Sequence, residues 1–168
     1  MSLSNHNESE NASIELEPDA TRLASEYAAV STGVGIAKLD DRLIVRVIGD
    51  DRIPFLHGMC SNDIKGLTTG AVSPALILTE HAHIIADFFV YAEADALLIE
   101  IDRKLWATAR AHLEKFLVAD DVEFEELDDL GVLDLEGPSA ASAFAADGLA
   151  LPPWRHAQAS TAAGEIRV

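Results

Sequence analysis

The stretch HAHIIADFFVY, residues 81–91, decides how this chain is read. Its last eight residues are dominated by β-branched and aromatic side chains, the composition of a strand. Asp87 is the only charged residue among those eight. Alternate residues of a strand face opposite sides, so Asp87 shares a face with Phe89 and Tyr91. A carboxylate in such surroundings must be hydrogen-bonded or open to a cleft, because burying it unpaired is costly. The bland role is a structural aspartate bonded to backbone amides or to an arginine such as Arg46. His81 and His83 point the same way as Asp87, which invites a metal-site reading. Strand geometry rejects it. At about 3.3 Å per residue, His83 and Asp87 lie roughly 13 Å apart, whereas zinc ligands sit about 2 Å from their ion. The two histidines are expected in an exposed turn, and no metal site is expected.

Outward from this strand the chain alternates strands with turn signals. AVSPALIL (71–78) and ALLIEID (96–102) read as neighbouring strands, joined to it through TEHAH and AEAD, both short enough for hairpins. GIAKL and RLIVRVIG read as two strands around the Asp40-Asp41 turn, and Leu43, Val45 and Val47 form one core face of the second. Asp19 is a candidate N-cap for a helix carrying Leu23, Tyr27 and Val30 and stopped by Gly33. A short helix over 50–59 is capped by Asp50, with Pro54 near its first turn. Residues 103–118 form the clearest helix, with Leu105, Ala109, His112, Leu113 and Phe116 near one stripe. VEFEEL and GVLDLEG are further short strands, and Pro138 starts a helix over 138–149. Helices and strands mix without regular βαβ alternation. The expected fold class is α+β, a largely antiparallel sheet with packed helices.

Composition narrows the function classes. The chain has 168 residues, 49% of them hydrophobic, enough for one domain with a sizeable core. No apolar run approaches the roughly 18 residues that span a bilayer, and the N-terminal stretch has neither a basic nor an apolar signal region, so the expected location is cytoplasmic. With 29 acidic against 12 basic residues the net charge is −17, which repels phosphate backbones and argues against direct nucleic-acid binding. The single cysteine, Cys60, excludes an internal disulfide framework and a multi-cysteine metal site; it is expected to be a small packing residue. Residues 1–18 are polar and acidic, a composition expected of a flexible leader, with the domain proper over 19–168.

Four stretches together resemble the folate-binding family that contains the glycine-cleavage T-protein (aminomethyltransferase) and the YgfZ-type proteins. They are EYAAVSTGVGIAKL (26–39), VIGDDRIPFLHGMCSNDIKGLTTG (47–70), HIIADFFVY (83–91) and DLEGPSA (134–140). The resemblance runs from about residue 26 to the end and rests on the order and spacing of the stretches. It implies the N-terminal folate-binding domain of that family, truncated at its C-terminus. The T-protein carries two aspartates in the strand matching IIADFFVY, and the first is associated with aminomethyl transfer. Here that position is Ala86, and only Asp87 remains, as in YgfZ-type proteins. The cysteine motif that those proteins carry downstream has no match here.

The resemblance therefore implies a tetrahydrofolate-binding, YgfZ-like protein that supports iron–sulfur cluster assembly or repair, with folate as ligand and iron–sulfur proteins as partners. The alternatives are a folate-dependent aminomethyltransferase of the T-protein kind, or a non-catalytic partner-binding domain. Asp87 is placed at the pterin end of the folate pocket, where it would accept hydrogen bonds from pterin N–H groups. Asn62 and Asp63 fall at the pocket rim by family position, although such a pair is more often a turn or helix cap. Phe89 and Tyr91 are candidates to stack on a flat ring, although core packing is the expected job of Phe89, and Asp102 stands where the T-protein has an asparagine. No catalytic residue is assigned. Arg103 and Lys104 are read as a solvated first helical turn, and Trp106 and Trp154 as packing residues.

Overall fold

A computed structural model describes residues 19–146, 154–156, 158–161 and 164–167. The leader expected over 1–18 lies outside the described residues. In chain order the elements are α1 (Ala20–Thr32), β1 (Gly35–Leu39), β2 (Arg42–Ile48), α2 (Arg52–Met59), β3 (Val72–Leu78), β4 (Ile84–Ala92) and β5 (Leu97–Asp102). They continue with α3 (Arg103–Glu114), β6 (Glu123–Glu126), β7 (Val132–Glu136), α4 (Ala140–Ala146), β8 (Gln158–Thr161) and β9 (Gly164–Arg167). The α+β expectation holds, with every named strand pair antiparallel.

The main sheet has the order β3-β4-β5-β2-β6. Its strands bury alternate residues on one side: Leu43, Val45 and Val47 from β2, Ala86, Phe88 and Val90 from β4, Ile99 and Ile101 from β5, and Phe124 from β6. Helices α2, through Phe55 and Leu56, and α3, through Trp106, Ala109 and Leu113, close that core. Each large apolar side chain so buried contributes about 1.5–3 kcal/mol, which makes this one-sided layer the dominant stabilising feature. Phe124 packs edge-on against both Trp106 and Phe55, with centroids 5.7 and 6.4 Å apart.

Several local expectations shift. β1 and β2 flank the Asp40-Asp41 turn but do not pair with each other; β1 pairs with β7 in a separate two-stranded ribbon. Helix α3 stops at Glu114 and buries Trp106, Ala109 and Leu113, one position round from the expected stripe, so Phe116 is exposed. Trp154 is exposed as well, not packed. Pro138 lies in the turn before α4, two residues ahead of its start. Asp19 caps α1 as expected, accepting from the Thr21 N–H at 2.9 Å.

The expected cap Asp50 is not the cap of α2. Asp51 holds that position, and its carboxylate instead accepts from the Asp121 N–H at 2.9 Å. In return the Asp121 carboxylate accepts from the Asp50 N–H at 3.0 Å, and the Asp121 carbonyl accepts from the Asp51 N–H at 3.1 Å. This clamp joins the β2–α2 turn to the entry of β6. It needs Gly49, whose φ is +101° and whose added Cβ would stand 2.0 Å from the Asp121 carbonyl oxygen. Gly49→Ala should cost about 2–4 kcal/mol in urea-unfolding stability. Gly58→Ala, in α2 where nothing lies within 4 Å, should gain about 0.5–1 kcal/mol by helix propensity.

Candidate functional site

Strand β3 is an edge strand, which is why it tolerates Pro74. Its free edge is covered in two places. At one end the Ser61 N–H donates to the Leu76 carbonyl and the Ser61 hydroxyl accepts from the Leu76 N–H, both at 3.0 Å. At the other end the Val72 N–H donates to the Trp154 carbonyl at 2.9 Å, and Ala71 bridges to Arg155. Between the loop at Ser61 and strand β4 lies a recess of about 280 Å³. Ser61, Pro74, Leu76, Asp87 and Phe89 line it. Small-molecule pockets generally run from about 300 to 1,000 Å³, so the recess suits the ring end of a ligand rather than a whole drug-sized molecule.

Asp87 is exposed at this recess and has no hydrogen bond or ion pair among the described residues. The alternative partner Arg46 is engaged elsewhere, at 3.0 Å from Asp95 and 3.5 Å from Glu125. Phe89 is half-buried on the same face, cross-strand from Pro74. Ala86, by contrast, points into the core beside Phe88 and Val90. The register that pairs Phe88 with Ile101 also brings Asp102 alongside Asp87 on the open face. The Asp102 carboxylate accepts from the Lys104 N–H at 2.7 Å as the N-cap of α3.

The other candidates are drawn into internal bonding. The Asn62 amide donates to the Ser73 hydroxyl and to the Pro74 carbonyl, each at 2.8 Å, while its oxygen accepts from the Asp63 N–H at 2.8 Å. Asn62 therefore fixes the recess wall and has little capacity left for a ligand. Asp63 accepts from the Gly66 N–H at 3.1 Å and lies 3.3 Å from His57 Nδ1, which makes it a turn residue. Cys60 packs half-buried against the core, and burial pushes its thiol up, away from nucleophilic use. Arg103 is exposed and pairs with Asp128 at 2.8 Å. His81 and His83 are exposed in the β3–β4 turn, with rings 6.4 Å apart, and no three metal-ligating side chains converge among the described residues.

A half-buried polar chain lies on the same face as the recess, and sequence reasoning did not anticipate it beyond Tyr91. The Tyr91 hydroxyl donates to Glu100 at 2.6 Å, Glu100 pairs with Arg42 at 3.0 Å, and the Tyr91 ring meets the buried His156 ring edge-on at 5.5 Å. His156 Nε2 is 3.0 Å from the Ala92 carbonyl. The register of the β4–β5 hairpin sets Glu100 opposite Phe89, whereas His156 comes from far along the chain and left no local signal.

Residues 11–147 match the family described as the GCVT N-terminal domain, and the chain belongs to that family. An aminomethyltransferase of Anoxybacillus flavithermus is 30% identical over 133 residues, which are 75% of this chain and 35% of that protein. One of Nitrosococcus oceani is 27% identical over 122 residues, 69% of this chain and 32% of that protein. The crystal structure of glycine cleavage system aminomethyltransferase T from Bartonella henselae shares the fold, with a TM-score of 0.71 at 22% identity over 79% of this chain and 37% of that one. The chain thus spans about a third of the length of these curated relatives. They support the aminomethyltransferase side of the resemblance rather than its YgfZ side.

Burial and the hydrogen bond to Glu100 hold the Tyr91 phenol above its ordinary value of about 10. The proton is retained longer in the folded state, so the stabilisation is complete below about pH 10 and is lost as pH rises through the shifted value. In an absorbance titration of the folded chain, one of the two tyrosines should ionise late, and Tyr91→Phe should remove that late phase.

Proposed function

We propose that this chain is the pterin-holding domain of a T-protein-like aminomethyl-transfer protein. The observation that carries the reading is Asp87, a carboxylate without a protein partner among the described residues, standing over the apolar shelf of Phe89, Pro74 and Leu76. An ionised carboxylate is purely an acceptor and can take two N–H groups side by side, the pattern that the amino-pyrimidine edge of a pterin offers. The acceptor carboxylate over an apolar shelf suits tetrahydrofolate, which when bound would supply the nitrogen that takes up the one-carbon unit. Asp87 would fix the ring's edge, Phe89 would support its flat face, and Asn62 would act by holding the Ser73–Pro74 wall in place.

The position of Ala86 bears on the chemistry. Its side chain lies under the sheet, so a carboxylate at 86 on this backbone would face the core and not the recess. The acidic group available to a transfer reaction in this chain is therefore Asp87, with Asp102 beside it. A second reading keeps the ligand and drops the transfer: a YgfZ-type folate protein acting with iron–sulfur proteins, favoured by Ala86 in place of the T-protein's first aspartate.

Isothermal titration with tetrahydrofolate tests the ligand. Saturable heat is expected, and Asp87→Asn should weaken binding about tenfold or more, the worth of one hydrogen bond to a charged group. Absence of heat up to millimolar folate would rule out both readings. Formaldehyde released from a methylated amine only when folate is present supports transfer, and folate binding without it supports the second reading.

A further inference from the structure

The loop over residues 61–67 closes one side of the recess, and most of its backbone N–H groups find acceptors within the loop or on β3. Ser61 donates to the Leu76 carbonyl, Asp63 to the Asn62 side-chain oxygen, Gly66 to Asp63 Oδ1 and Leu67 to the Ile64 carbonyl. Ile64 differs. Its N–H donates at 3.3 Å to Nδ1 of His57, in the last turn of α2. This bond ties the loop to a helix of the core. The Ile64 side chain is itself buried in that core, which holds its amide beside the imidazole.

A second group competes for the same ring atom. Asp63 Oδ1 also stands 3.3 Å from His57 Nδ1. A neutral ring with a lone pair at Nδ1 accepts from Ile64 and offers the carboxylate no donor. A protonated ring carries an N–H there, cannot accept, and turns to the carboxylate. The charge of one side chain thus selects which of two adjacent loop residues the helix holds. Imidazole is the side chain that ordinarily changes charge between about pH 5 and 8. The other titratable groups around it do not supply that change. Burial pushes the Cys60 thiol up, Lys65 makes no bond among the described residues, and Arg52, on the helix itself, is bonded to the Gly49 carbonyl. Strand β6 meets the helix through the apolar Phe124.

We propose that His57 is a positioning residue for the recess: its neutral ring keeps the wall in the form that receives a ligand, and protonation loosens it. The route is short. Asp63 donates its N–H to the Asn62 oxygen, and the Asn62 amide holds the Ser73 hydroxyl and the Pro74 carbonyl at 2.8 Å each. Drawing the Asp63 carboxylate onto His57 while freeing the Ile64 amide disturbs that clasp, and Pro74 belongs to the shelf under Asp87. The inference deepens the folate reading and rests on it for the identity of the ligand.

Two measurements on the 168-residue chain test it. In nitrogen-edited NMR spectra taken from about pH 8 to about pH 6, the Ile64 backbone amide and the Asn62 side-chain amide should titrate together with the His57 ring. In His57→Gln, whose amide oxygen accepts from Ile64 but gains no proton, both signals should hold still. An Asn62 amide that stays fixed in the unaltered chain while His57 titrates would overturn the proposal. In isothermal titration over the same interval, tetrahydrofolate affinity should fall about fivefold, the scale of one hydrogen bond, and His57→Gln should show no fall. An equal fall in His57→Gln would assign the effect to another group and sink the inference. Coupled amide titration without tetrahydrofolate heat at any pH would instead strike the folate reading and support the control of the wall by His57.

Discussion

The alternation of β4 is the constraint on which the rest depends. Ala86, Phe88, Val90 and Ala92 enter the core while Asp87, Phe89 and Tyr91 face the other way. β4 sits between β3 and β5, so its register is pinned from both sides. A slip by one residue would drive Asp87 into a layer of Val and Ile side chains and expose Phe88, a cost no surface interaction could offset. The position of the unpartnered carboxylate is therefore not a surface accident. It follows from the same hydrophobic ordering that stabilises the domain.

The one-sided core has a second consequence. The open face must manage its polar groups without a helix layer, and it does so through pairs: Arg42 with Glu100, Arg46 with Asp95 and Glu125, and Tyr91 with Glu100. Asp87 stands outside this pairing, where the sheet edge is covered by the Ser61–Asn62 loop rather than by another strand. Edge coverage and recess are one feature. The loop that blunts β3 against further strand pairing is also the wall against which a flat ligand can rest.

Much of the fold was legible because strands with one buried face write an alternating pattern. The core face of β2 was read correctly, as were the shared direction of Asp87, Phe89 and Tyr91 in β4 and the hairpins at 79–83 and 92–95, whereas Phe89, expected to pack in the core, lies half-buried on the open face. The misread elements failed for local reasons. Phe116 fits a helical stripe, but α3 ends before it, and Trp106 takes the buried place. Asp50 and Asp51 are interchangeable as caps on paper, and the choice was made by Asp121, some seventy residues downstream. Of the candidate site residues, Asp87 and Phe89 meet at one recess because strand parity is a local property. Asn62 and Asp63 are bonded within their own loop, and their roles depend on how that loop folds against β3.

What the sequence by itself determined was the alternation, and with it the fold class, the face that carries Asp87, and kinship with the GCVT N-terminal domain. What only the tertiary structure decided was pairing between distant segments: β1 with β7 instead of β2, Asp121 with the β2–α2 turn, and His156 against Tyr91. It also decided that Ala86 lies in the core, so that its side chain is remote from the recess despite adjoining Asp87 in the chain. The physical reason is range. Side-chain direction along a strand is set by neighbouring peptide units, whereas partners across a sheet are set by which distant surfaces can exclude water together.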